Sequence, residues 1–299
     1  MTTPSAATPG DPADPADPAG PANPAGSAGA RDHVESAPST PLALLPAAGV
    51  AASAFLLFAL QLAGWGHLLL ALSLLGAVLV SRELAKDLSL IGIGIAIVST
   101  TSVVASVDWD RFLTIGIVLL LAVLVPVLVD RVVLRRRAIR FPLRTGQGWS
   151  RVEKGYIVAV PFLGWLILPF YFITSGVYRN WPPLADGGEV ARFFVGVNFV
   201  GTWDELFFIC TCFALLRRHF GVWTANLLQA TIFVSFLWEL GYQAWGPLLT
   251  APFALLQGWL FARTGSLLYV LIVHLLFDVV VFLAIVHARH PGAIEIFLV

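Results

Sequence analysis

Five ionisable residues stand in stretches that otherwise read as lipid-soluble helix. They are Asp204 and Glu205, side by side in GTWDELFFICTCFALLRR, Glu239 in FLWELGYQAWGP, and His274 and Asp278 in LLYVLIVHLLFD. A carboxylate at the centre of a bilayer-spanning helix costs about 2.5–3.5 kcal/mol on insertion scales, so such a group faces a cavity, a partner or a site. His274 and Asp278 are one turn apart and share a helix face. An imidazole and a carboxylate offered to one space can serve as metal ligands, as a histidine oriented by its carboxylate, or as an oxyanion-side group beside a general base. Asp204 and Glu205 point about 100° apart around their helix, which leaves one for chemistry and the other to hold the helix. Glu239 sits beside Trp238, Tyr242 and Trp245, an aromatic belt of the kind found at a membrane interface, where a carboxylate reaches water.

The elements that must carry these residues are long apolar runs. The chain is 58% hydrophobic and 12% charged, with a mean hydropathy of +0.84, which excludes an ordinary soluble domain. Segments 42 to 64, 66 to 81, 88 to 107, 112 to 130, 155 to 178, 193 to 216, 223 to 245, 247 to 262 and 266 to 288 each approach the length of about 20 residues that a spanning helix needs. The sequence therefore predicts an all-α, polytopic integral membrane bundle of eight or nine transmembrane helices. At about 1.5 Å of rise per residue, Asp204 and Asp278 lie about 18 Å deep, His274 about 12 Å and Glu239 about 24 Å. Those depths predict that the five groups converge near mid-membrane.

Four further stretches complete the organisation. Residues 1–40, with PGDPADPADPAGPANPAG, are Pro, Ala, Gly and Asp without an aromatic, and are expected to form a disordered tail rather than a signal peptide. Residues 41–130 read as helices of a scaffold, 131–154 as a basic loop, and 289–299 as a short C-terminal tail. The loop holds Arg131, Arg135, Arg136, Arg137, Arg140, Arg144, Arg151 and Lys154. With the loop inside the cell, fourteen of the eighteen Lys and Arg residues fall on the inner side, which predicts a multi-pass protein of the cell membrane with a cytoplasmic N-terminus. The cluster is expected to set topology and meet anionic headgroups, not nucleic acid. Cys210 and Cys212 are two apart on one helix, so they form neither a mutual disulfide nor a CxxC site.

The order DELFF…LLRRHFG, an apolar helix, then RTGSLLYVLIVHLLFD resembles the CPBP intramembrane metalloprotease family, the CAAX-prenyl-protease and bacteriocin-processing group. The resemblance runs over about residues 160 to 285. That family shows a glutamate pair with an arginine four residues after the second, then FxxxH, then HxxxN or HxxxD, on helices around a polar cavity. The RTGSL entry is the most specific match and leads to His274 and Asp278. The departures are Asp204 in the first acidic position, Ile209 where the arginine is expected, and Leu237 where the motif from Phe233 expects its histidine.

The resemblance implies a CPBP-like core over residues 155–288 and an endopeptidase cleaving a membrane-associated or lipidated peptide through acid-activated water. Asp204 or Glu205 would be the base, with His274 and Asp278 holding metal or oxyanion. A divalent ion such as zinc would be held by Glu205, His274, Asp278 and Glu239. Two other classes remain open on the residues: a degenerate member serving as a membrane scaffold or binding protein, and a proton- or cation-coupled transporter using the same acids.

Overall fold

Nine apolar segments of the sequence are nine helices in the computed structural model, which describes residues 2–3, 41–144, 146, 148–292 and 295–299. The tail expected over residues 1–40 lies outside the described residues apart from Thr2 and Thr3. By contacts the chain divides into Met1–Val34 and Glu35–Val299, and all nine helices belong to the second unit. The helices are α1 (Pro41–Ala59), α2 (Ala63–Val80), α3 (Arg82–Val98), α4 (Trp109–Val133), α5 (Arg151–Thr174), α6 (Gly187–Leu216), α7 (Val222–Leu240), α8 (Pro247–Thr264) and α9 (Leu267–Arg289). There is no strand among the described residues. All of these helices except α3, α7 and α8 are long and apolar enough to cross a membrane. In α7 and α8 the buried amides Asn226, Gln229 and Gln257 lower the apolarity while tying helices together.

The outer faces explain why the protein is a membrane bundle. Leu68, Leu72, Leu75 and Leu79 on α2 are exposed at three- and four-residue spacing, as are Leu113, Ile117, Leu120 and Leu124 on α4. Such stripes are one helix face each. Patches of this kind are rare on soluble monomers and natural against acyl chains.

Helix boundaries follow local chemistry. Helix α3 begins six residues before the apolar run, because the Ser81 hydroxyl accepts from Leu84 N–H and starts the helix on polar residues. Ser150 and Glu153 form a reciprocal capping box at the start of α5. Helices α7 and α8 are clasped by side-chain amides: Asn226 donates to Leu255 O at 2.7 Å and Gln229 to Ala254 O at 2.9 Å. Bonds of this kind between helices are worth about 0.6–2 kcal/mol each in a membrane.

The basic loop is more structural than its composition suggests. Asp87 of α3 is 1% exposed and accepts from Arg136 at 2.7 Å, Arg218 at 2.8 Å and His219 at 2.8 Å. Asp130, near the end of α4, accepts from the backbone of Ala138 at 2.7 Å and Ile139 at 3.1 Å, with Arg136 Nε at 3.3 Å. Arg136 is thus shared between two buried acids, which corrects its assignment to headgroup contact. Its charge is needed to keep Asp87 and Asp130 from being buried uncompensated.

Candidate functional site

The site is built where α6, α8 and α9 meet. Gly265, in the left-handed conformation (φ 62°), ends α8, and the Ser266 hydroxyl accepts from Tyr269 N–H to start α9. The RTGS sequence is therefore a C-cap followed directly by an N-cap. It fixes the register of α9 two turns before His274. Loop residues Pro142 and Leu143 accept from Leu267 and Leu268 N–H and hold that turn from outside.

Helix α6 changes winding at the acids. Over Glu205–Phe213 it widens to π-helical turns, and Thr211 Oγ1 reaches back five residues to Leu206 O at 2.9 Å. Such widened turns recur at functional sites. The result corrects the expectation that one acid turns away: the two straddle the same imidazole. Glu205 Oε1 lies 2.7 Å from His274 Nδ1, and Asp204 Oδ2 lies 3.7 Å from His274 Nε2. Asp278 Oδ1 is 3.9 Å from that same Nε2.

Glu205 Oε1 also accepts from Gln257 Nε2 at 2.6 Å, and the same amide nitrogen donates to Val270 O at 3.0 Å. With two donors on Oε1, the Nδ1–H of His274 is the proton given to Glu205, which leaves the Nε2 lone pair facing Asp204 and Asp278. The ring is held by Phe253, edge-on at 5.0 Å, and by Phe233 at 6.1 Å. Gln257 is the residue that sequence reasoning missed. Its signal in the sequence is an amide within the apolar run APFALLQGWLF, a residue type that does not ionise.

Gly201 makes the approach of α6 to α9 possible. A Cβ there would overlap Asp278 Oδ2 and stand 3.2 Å from His274 Cδ2. Four buried oxygens in the cluster, Asp204 Oδ1, Glu205 Oε2, Gln257 Oε1 and Asp278 Oδ2, have no hydrogen-bond partner. Each unmet buried acceptor costs about 1–3 kcal/mol, so the cluster is arranged for a ligand that donates.

Asp204, His274 and Asp278 line one end of a cavity of about 320 Å³ whose remaining wall is mostly apolar, from Phe112 and Ile117 of α4 to Val195 and Phe199 of α6. That is the size and character of a pocket for a small or chain-like apolar ligand. Leu237 lines it too, so the position where the resemblance expects a histidine faces the site but carries an alkyl group. Glu205 stands behind the imidazole, wholly buried.

Glu239 does not join the cluster. It is 8% exposed on the last turn of α7, and its Oε1 accepts from Val103 N–H at 3.1 Å. The chain between α3 and α4 lies over it, and the bond to Val103 keeps the carboxylate from being a ligand at the site. Cys210 and Cys212 are both free and buried.

The donor set is a poor fit to a metal ion. Among the described residues, no group of three or more His, Cys, Asp or Glu side chains could hold one. The Nε2-to-carboxylate separations of 3.7 and 3.9 Å exceed the separation of about 3.4 Å that tetrahedral ligands at about 2.1 Å require. Glu205 Oε1 is engaged by Nδ1 and Gln257, Glu205 does not line the cavity, and Leu237 offers nothing.

Fold and site together define a polytopic helical membrane protein with a buried carboxylate–histidine cluster opening on an apolar cavity. Residues 186–280, which contain every member of that cluster, match the family model described as Type II CAAX prenyl endopeptidase Rce1-like. This match, over about a third of the chain, bears out the resemblance to the CPBP family and supports a CAAX-type intramembrane-protease kind of function. No curated protein and no solved structure matches the chain.

Proposed function

We propose that the protein is an intramembrane endopeptidase that hydrolyses a membrane-associated or lipidated peptide with His274 as its base. The observation that carries this reading is the Glu205–His274 bond of 2.7 Å, which directs Nε2 to the cavity end where Asp204 and Asp278 stand. Glu205 orients the ring and stabilises the imidazolium through Nδ1–H, and Gln257 holds Glu205. Asp204 and Asp278 accept from the attacking water and later from the amine that leaves. His274 takes the water proton on Nε2 as oxygen attacks the carbonyl, then gives it to the nitrogen when the C–N bond breaks. The cavity lining, which includes His274 and leaves out Glu205, supports His274 over Glu205 as the base, with Asp204 beside its Nε2.

The chemistry open to the cluster is that of its own carboxylates and imidazole. The apolar wall suits the lipid part of a substrate, and the basic stretch Arg131–Lys154 supports a cell-membrane orientation with the N-terminus in the cytoplasm. The test uses full-length protein in proteoliposomes with a quenched-fluorescent peptide ending in a prenylated CAAX sequence. Cleavage by the wild type, abolished by Glu205→Ala and by His274→Ala with folding intact, is the expected result. A wild type that does not cleave, or variants that cleave as well as it does, would overturn the reading. Leu237 in the cavity favours a second reading, a scaffold that keeps the pocket and has lost hydrolysis; that protein would bind the peptide uncleaved.

A further inference from the structure

Hydrolysis by this cluster leaves one requirement open: a donor for the carbonyl oxygen that becomes negative as water adds. Such donors are worth about 10²–10³ in rate each. The polar side chains along the cavity can be followed one by one. His274 gives Nδ1–H to Glu205. Thr250 donates to Gly246 O at 3.2 Å and Ser106 to Asp108 at 3.3 Å. Arg192 donates Nε–H to Val107 O at 2.8 Å and lies over the Trp109 ring at 4.9 Å. Tyr242 remains. It is 6% exposed and lines the cavity together with Asp204, His274 and Asp278, and its hydroxyl makes no hydrogen bond among the described residues.

The chain around Tyr242 holds its ring in place. Helix α7 stops at Leu240, Gly241 takes φ 141°, and Tyr242 N–H closes back on Leu237 O at 2.9 Å. At φ 141° a side chain at 241 would be strained, so glycine permits the turn into Tyr242. The ring stands edge-on to Trp181 at 5.3 Å and tilted to Phe172 at 5.7 Å. Packing therefore fixes the ring, while the hydroxyl, the only polar atom of the side chain, is left for a ligand. A buried tyrosine hydroxyl normally finds a partner.

We propose that Tyr242 is a further catalytic residue, whose hydroxyl donates to the scissile carbonyl oxygen of the substrate. The inference rests on the hydrolytic reading and deepens it. In the first step the water oxygen bonds to the carbonyl carbon, the water proton moves to His274 Nε2, and the carbonyl electron pair moves onto oxygen, where Tyr242 Oη–H binds it. In the second the pair returns, the C–N bond breaks, and the proton on Nε2 passes to the amine. Tyr242 keeps its proton throughout, so no further reactant is required.

Tyr242→Phe keeps the ring and both aromatic contacts and removes only the hydroxyl. Measured on the prenylated CAAX peptide in proteoliposomes, the variant is expected to lose about 10²–10³-fold in kcat with KM within about threefold of wild type and an unchanged melting temperature. A Phe58→Leu control on α1, a helix that does not line the cavity, loosens the contact with Phe236 and is expected to lower the melting temperature while keeping kcat within about threefold. If Tyr242→Phe fails to fold, 3-fluorotyrosine at 242 replaces it, and a shifted pH profile of kcat is expected.

Wild-type kcat in Tyr242→Phe, or an unshifted profile for 3-fluorotyrosine, overturns the proposal while leaving His274 as the base. A wild type that does not cleave, with or without loss of binding, removes the hydrolytic reading and this inference with it.

Discussion

Replacing Gly201 by alanine puts one methyl group where α6 and α9 touch. The added Cβ overlaps Asp278 Oδ2, lies 3.0 Å from Asp278 Cγ and 3.2 Å from His274 Cδ2, so the carboxylate cannot stay where it is. Restoring van der Waals distance moves α9, or the Asp278 side chain, by about 1 Å. If α9 moves, the 2.7 Å bond from His274 to Glu205 opens to a length at which it is no longer a hydrogen bond. Overpacking of this kind costs about 1–3 kcal/mol, and loss of a hydrogen bond to a charged group about 1.5–3 kcal/mol. A misplacement near 1 Å in a catalytic array costs about 100-fold in rate. Thermal unfolding in nanodiscs and cleavage of the prenylated CAAX peptide are the two assays. Gly201→Ala is expected to melt earlier and to cleave at least about 100-fold more slowly. Gly155→Ala on α5, whose Cβ would meet nothing within 4 Å, serves as the control and is expected to be neutral or slightly stabilising. Wild-type melting and wild-type cleavage in Gly201→Ala together would refute the close approach from which the site geometry is argued.

Gln257→Leu removes both donors of the amide and is expected to cut kcat about 10–100-fold and cost about 1–3 kcal/mol of stability, since Glu205 and Val270 lose a partner each. Turnover equal to wild type would show that Glu205 needs no support. Glu239→Gln keeps an acceptor for Val103 N–H and is expected to cleave normally, whereas Glu239→Leu is expected to lower stability by about 1–3 kcal/mol with the rate per folded molecule unchanged. A selective rate loss in either would return Glu239 to the site. Elemental analysis is expected to find well under one divalent ion per wild-type chain and more in Leu237→His, which sets a third donor beside His274 and Asp278. Near-stoichiometric zinc in the wild type that vanishes in His274→Ala would mean that the cluster does close on an ion.

The helices were legible in the sequence because each is an apolar run bounded by polar or glycine residues, and all nine segments are helical. Where the boundaries moved, a specific hydrogen bond moved them. Ser81 starts α3 ahead of its apolar run, and Ser99–Ser102, read as part of a span, lie beyond the end of α3. His274 and Asp278 were legible as one face because they lie in regular helix. Asp204 and Glu205 were not, because two side chains about 100° apart can still reach opposite nitrogens of one ring, Glu205 at Nδ1 and Asp204 towards Nε2. Glu239 was misplaced because depth along a helix says nothing of direction around it, and the partner that claims it is 136 residues away. Gly201 carries no signal in a single chain, since what it accommodates belongs to another helix.

The widened winding over Glu205–Phe213 has an evolutionary consequence. A helix can lose a surplus residue there by a three-base deletion, close to ordinary winding, and leave every backbone hydrogen bond made. The protein would still insert and still fold. Yet everything upstream would swing by about 100°, carrying Asp204 off the imidazole and Gly201 out from under Asp278. Inheritance of the catalytic geometry would then hang on chain length as much as on residue identity, and a descendant could retain every acid and the histidine yet have no working centre.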